Sequence, residues 1–164
     1  EKEILNWFVK HPDATLVTDK LDDALLLKNI FNRIQNNLIV EVFTEQSIEK
    51  ALSNNFSRIL ISQKIISDNK FSENFLNYLV NNKNIPYGFA VSKEAIYENA
   101  EFFKKAKSLG FKTYVYNINE EFNNYVLDSS GLEGEVICNL HNYIDGIYAD
   151  LIPQNKQNIL DLCN

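Results

Sequence analysis

The stretch Leu38-Ile39-Val40-Glu41-Val42-Phe43, followed by the segment Ser47 to Asn55 and then by Arg58-Ile59-Leu60-Ile61-Ser62, decides the fold class. Both apolar runs are short, dense in Val, Ile and Leu, and lack strict polar alternation. Strands read this way when both faces are buried, as in a parallel sheet covered by helices. Between them Ile48, Ala51 and Leu52 recur at helical spacing.

The same alternation extends outward in both directions. Further apolar runs bounded by turn residues predict strands over Ala14 to Thr18, Tyr87 to Val91, Lys112 to Tyr116 and Gly146 to Ala149. Helical periodicity predicts helices over Asp22 to Ile34, Asp68 to Asn82 and Lys93 to Leu109, with a shorter one over Glu120 to Leu127. Lys104, Lys105 and Lys107 favour the C-terminal end of the third, and Gly110 suits a left-handed cap. Glu1 to Lys10 reads as an amphipathic helix whose Ile4, Leu5, Trp7 and Phe8 require a packing partner. Asp128 to Tyr143 is a long connection. Strand and helix in alternation predict right-handed βαβ units, arranged as a doubly wound sheet or as a barrel.

Composition narrows the class further. The 164 residues, 45% hydrophobic, suffice for one buried core, since a chain of this size hides about 70% of its unfolded surface. A single β/α domain over 1–164 is the expectation. No run approaches the roughly 18 apolar residues of a membrane span, and no secretory signal opens the chain. Cys138 and Cys163 lack metal-type spacing and fit a reducing, cytoplasmic compartment. With 22 acidic against 16 basic side chains, the net charge of −6 disfavours nucleic acid and anionic lipid as partners and points to a small ligand.

In a parallel β/α domain ligands meet residues at the carboxyl ends of the strands. Those positions are Asp19 and Lys20, Thr44 and Glu45, Ser62 and Gln63, Ser92 and Lys93, Asn117 and Asn119, and Asp150. Asp19 with Lys20 is the best pair: a carboxylate holds a divalent cation while an ammonium steadies a phosphate oxygen. The bland alternative is that Asp19 caps the next helix, as Asp22 and Asp23 also could. Glu41 stands within an apolar strand, where an acid must be paired or must face a polar centre. His11 falls at the amino end of the sheet and His141 in the long connection, and neither has a nucleophile nearby. The five glycines form no phosphate-binding loop.

The run Leu109-Gly110-Phe111-Lys112-Thr113-Tyr114-Val115-Tyr116-Asn117-Ile118-Asn119-Glu120, with Ile144-Asp145-Gly146-Ile147-Tyr148-Ala149-Asp150 and then Pro153, resembles the last two strands of glycerophosphodiester phosphodiesterases. Tyr116 stands for the family's usual Trp and Asn117 for its Thr, while Asn119 and Asp150 match. His11 to Lys20 resembles that family's third strand, whose metal-binding acid corresponds to Asp19. Leu21 occupies the place of the lysine, and Lys20 comes one residue early, on the other face of an extended strand. The resemblance implies an incomplete or distorted TIM-type barrel, beginning at its third strand. It implies catalytic roles for Lys20 and Asn119, substrate contacts from Tyr116 and Asn117, and a Mg or Ca ion on Asp19; the strand-end positions Ser62 and Ser92 are expected as further substrate contacts and Glu41 as a second metal ligand. The family's catalytic histidines and Glu-x-Asp pair have no counterpart here.

Three readings are open. One is the C-terminal part of a metal-dependent hydrolase acting on a small phosphorylated ligand, favoured by a sequence that begins at Glu1 without Met. Another is a noncatalytic ligand-binding or scaffolding domain. The third is an unrelated doubly wound domain. Because six strands leave an open edge, a terminal helix (Glu1 to Lys10 or Asn155 to Cys163), a missing N-terminal segment or a second copy of the chain is expected to cover it.

Overall fold

A computed structural model describes residues 2–81, 88–116, 139–140 and 142–148. Its strands are β1 (Leu16–Thr18), β2 (Leu38–Val42), β3 (Ile59–Ser62), β4 (Gly88–Ser92), β5 (Lys112–Tyr116) and β6 (Gly146–Ile147). They form one six-stranded sheet in sequential order, with β1 parallel to β2, β2 to β3 and β5 to β6. Sequential order removes the doubly wound alternative, because that arrangement needs a point where strand order reverses. No helix among the described residues is long and apolar enough to cross a membrane.

The chain divides into two compact units, 1–89 and 90–164. The first contains α1 (Lys2–Lys10), α2 (Ala24–Phe31), a 3-10 turn (Asn32–Asn37), α3 (Glu45–Ser53), α4 (Gln63–Asp68) and α5 (Glu73–Asn81). Its core joins Leu38, Val40 and Val42 of β2 and Ile59, Leu60 and Ile61 of β3 to Leu27, Ile48, Ile66 and Leu76 of the helices. Phe8 is the buried residue of α1, which lies beside the 3-10 turn. The second unit contains α6 (Lys93–Glu98) and α7 (Ala100–Ser108), which bury Ile96, Phe102, Phe103 and Ala106 together with Val91 and Val115.

Several helices differ from the periodicity. The helix expected over Asp22 to Ile34 is α-helical only for Ala24–Phe31, since Asp23 caps it by accepting from the Leu26 amide at 3.0 Å and the chain tightens into a 3-10 turn after Phe31. The helix expected over Ser47 to Asn55 starts two residues earlier, at Glu45, because Thr44 caps it through the Ser47 amide at 3.1 Å. A short helix, α4, precedes the one expected over Asp68 to Asn82, and Lys93 to Leu109 is broken at Asn99.

The two breaks are built alike. Ser62 and Ser92 each precede a six-residue helix, α4 and α6. Asn69 and Asn99 end those helices, each donating its carboxamide to the carbonyl four residues back, of Ile65 and Ala95, at 3.0 Å. Gly110 takes the expected left-handed cap with φ +91°. The helix expected over Glu120 to Leu127, the Asp128 to Tyr143 connection apart from 139–140 and 142–143, and Asn155 to Cys163 lie outside the described residues.

The two faces of α2 give a stability test. Leu27→Ala, at a fully buried side chain, is expected to cost about 2–5 kcal/mol in urea unfolding, whereas Leu25→Ala, 59% exposed on the same helix, should stay within about 0.5 kcal/mol.

Candidate functional site

Strand register sets which side chains share a face. Val40 pairs with Ile59, Glu41 with Leu60 and Val42 with Ile61, while Val17 pairs with Ile39. Side chains alternate along a strand and neighbours in register point the same way. Leu38, Val40, Val42, Ile59 and Ile61 therefore form one face, and all are buried. The opposite face carries Val17, Ile39, Glu41, Leu60 and Ser62. It opens toward β1, where Val17 is exposed and Glu41 is only partly buried.

Glu41 is the odd group on that face. Its amide donates to the Thr18 hydroxyl at 3.1 Å, which fixes it against the end of β1. Burial, then the negative charge of Asp19, raise its carboxyl pKa to about 7, with Lys20 opposing them in part. Both neighbours stand on the next strand's carboxyl end, with 74% of the Asp19 side chain and 86% of the Lys20 side chain exposed.

Lys20 is not extended. Its backbone is left-handed, with φ +56°, and the chain turns there so that the ammonium lies 3.8 Å from the Asp19 carboxylate. The expectation that Lys20 falls on the far side of an extended strand is thereby corrected: β1 ends at Thr18, so strand parity does not reach residue 20. Asp19, Lys20 and Glu41 are brought together. The helix cap falls to Asp23, and Asp22 accepts from the Ser47 hydroxyl at 2.5 Å. Ser47 also contacts the Thr44 hydroxyl at 2.5 Å, so the loop after β1 is tied to the start of α3.

The remaining positions have separate surroundings. Glu45 accepts from the Asn69 carboxamide at 2.9 Å. The Ser62 hydroxyl is buried without a hydrogen-bond partner among the described residues, whereas Ser92, at the matching place before α6, caps the Ala95 amide at 3.2 Å. In the second unit Tyr116 meets Tyr148 edge-on at 6.4 Å between ring centroids. Asp145, a residue whose role its sequence context did not signal, exchanges two bonds with Thr113: its amide donates to the Thr113 carbonyl at 2.7 Å and its carboxylate accepts the Thr113 amide at 3.0 Å. Gly146 lies under the Tyr114 ring, and a Cβ there would sit 2.7 Å from ring carbons. His11 follows α1 with its ring on Trp7, 4.4 Å between centroids. Asn117, Asn119, His141, Asp150, Cys138 and Cys163 lie outside the described residues.

The first unit therefore assembles a carboxylate pair with one ammonium. Among the described residues no group of three or more His, Cys, Asp or Glu side chains could hold a metal ion. Two carboxylates still match one mode of Mg binding, in which a phosphate and water complete the shell. Comparisons with family models, curated proteins and solved structures gave no match for this chain.

The raised Glu41 pKa has a defined consequence for stability. Between the unfolded value near 4.5 and the folded value about 7, the native state binds the extra proton, so stability is full at the acid side and falls as pH rises through this window. Glu41→Gln should flatten that decline and stabilise the protein at pH 8 by on the order of 1–2 kcal/mol after allowing for solvent screening. Asp19→Asn should lower the Glu41 pKa, as read by carbon-detected NMR titration.

Proposed function

We propose that this chain is a phosphodiesterase-like binding domain, built as an incomplete TIM-type barrel, that holds a small phosphorylated ligand through a divalent cation and does not hydrolyse it. The observation that carries this reading is the convergence of Asp19, Lys20 and Glu41 at the carboxyl ends of adjacent strands. Mg or Ca on the two carboxylates would replace the repulsion between them with attraction, and the ion's open positions would accept phosphate oxygens. Lys20 would supply a second positive charge to the same phosphate. The sequential α/β sheet and the resemblance of both chain ends to glycerophosphodiester phosphodiesterases support the same ligand class.

The absence of turnover follows from the chemistry required. Hydrolysis of the ester needs a base for the attacking oxygen and an acid for the leaving alcohol, both within hydrogen-bond reach of the reacting atoms. Burial and Asp19 raise the Glu41 pKa to about 7, but cation binding would fix that group as a carboxylate. The scaffolding alternative shares the fold but needs no cation.

Calorimetric titration of Mg or Ca into the chain, with and without glycerol phosphate, separates these readings. Expected is cation binding that strengthens in the presence of glycerol phosphate and is lost in Asp19→Asn. Glycerophosphocholine should remain intact on prolonged incubation. Robust metal-dependent hydrolysis would refute the noncatalytic reading, and silence toward both cations would refute the site. Lys20→Gly should weaken glycerol phosphate binding while changing stability by less than about 1 kcal/mol, because relief of the left-handed strain offsets the added freedom of the unfolded chain.

A further inference from the structure

At the amino end of the strands of the first unit, where α1 meets the 3-10 turn ahead of β2, lies an open cavity of about 310 Å³. Leu5, Phe8 and Val9 of α1, with Pro12 and Ile34, make its wall apolar. Phe8 and Ile34 are buried and form the floor, whereas Val9 stands 81% exposed on the rim. An apolar body seated in the cavity would cover part of that valine together with the buried floor.

The polar part of the lining is asymmetric. Arg33 is the one charged residue there, and its guanidinium has no ion-pair or hydrogen-bond partner among the described residues. Asn37 also lines the cavity, but its carboxamide nitrogen already donates to the carbonyls of Pro12 and Ala14, both at 2.8 Å, so both its hydrogens are engaged. Those two bonds fix the wall. Asn6 adds a neutral carboxamide to the lining, and Arg33 supplies its charged donors, whose planar fork matches a carboxylate with two parallel hydrogen bonds. In a chain of net charge −6 a guanidinium beside apolar surface, with no partner among the described residues, selects for an anion, and the wall selects for one with a hydrocarbon body.

We infer that this cavity is a second ligand site, independent of the Asp19–Glu41 end, and that it takes a small amphipathic carboxylate with its head on Arg33 and its aliphatic body against Val9, Phe8 and Ile34. A ligand of about ten heavy atoms bound in so open a site should have a dissociation constant on the order of 1 mM.

Octanoate is the probe, titrated calorimetrically into the full chain, with 1-octanol as its neutral counterpart. Saturable octanoate binding is expected, weakened about ten-fold in Arg33→Gln by loss of the charge-assisted pair. It should also weaken in Val9→Asp, a change at an exposed position that leaves the core intact, and stay unaltered in Asp19→Asn. Equal binding of 1-octanol and octanoate, or octanoate affinity unchanged in Arg33→Gln, would overturn the assignment of the head group. Failure of octanoate to bind, with dimerisation of the chain abolished by Val9→Asp in sedimentation, would overturn the proposal in favour of a second copy as the occupant.

Discussion

Closure of one sheet face is the constraint on which the first unit depends. Val40, Val42, Ile59 and Ile61 are withdrawn from water together, and the register that aligns Val40 with Ile59 is held because a one-residue slip of β2 would turn Glu41 into this face. Because the side-chain period is two, burying Val40 and Val42 commits Glu41 to the other face. The acid thus sits half-buried on the face it shares with Ile39 and Leu60, at a place where burial and Asp19 make its proton available near neutral pH. Hydrophobic patterning and site electrostatics are two results of a single register.

The strands are legible in the sequence because each is a compact apolar run between turn residues, and their sequential order agrees with the alternation with helices. Glu41 is legible for the opposite reason, as the one acid in such a run. Features set by individual side chains are not. The apolar period of Lys93 to Leu109 continues through Asn99, so periodicity sees one helix where the Asn99 carboxamide ends one and admits another. The left-handed backbone at Lys20 carries none of the Gly, Asn or Asp signal that usually marks such a position, so the direction of the chain after β1 is hidden with it. The contact of Asp22 with Ser47 spans 25 residues and belongs to tertiary structure alone.

Aspartates between 19 and 23 show how one residue type divides its labour by geometry. Asp23 meets an amide and becomes a cap, Asp22 meets a hydroxyl and ties a loop, and Asp19 keeps its carboxylate toward solvent beside an ammonium. Composition would rank them alike. Only the third retains an oxygen pair exposed to incoming ligand, and its neighbour across the sheet is the carboxyl with the most to gain from a cation.

The paired serine-to-asparagine segments after β3 and β4 act as a ruler. Each short helix rises about 9 Å before its asparagine stops it, so the chain measures out the distance from a strand's end to the start of the next helix by counting residues. One residue inserted within α6 would rotate its end by about 100° relative to β4, at the place where Asn99 alone separates it from α7.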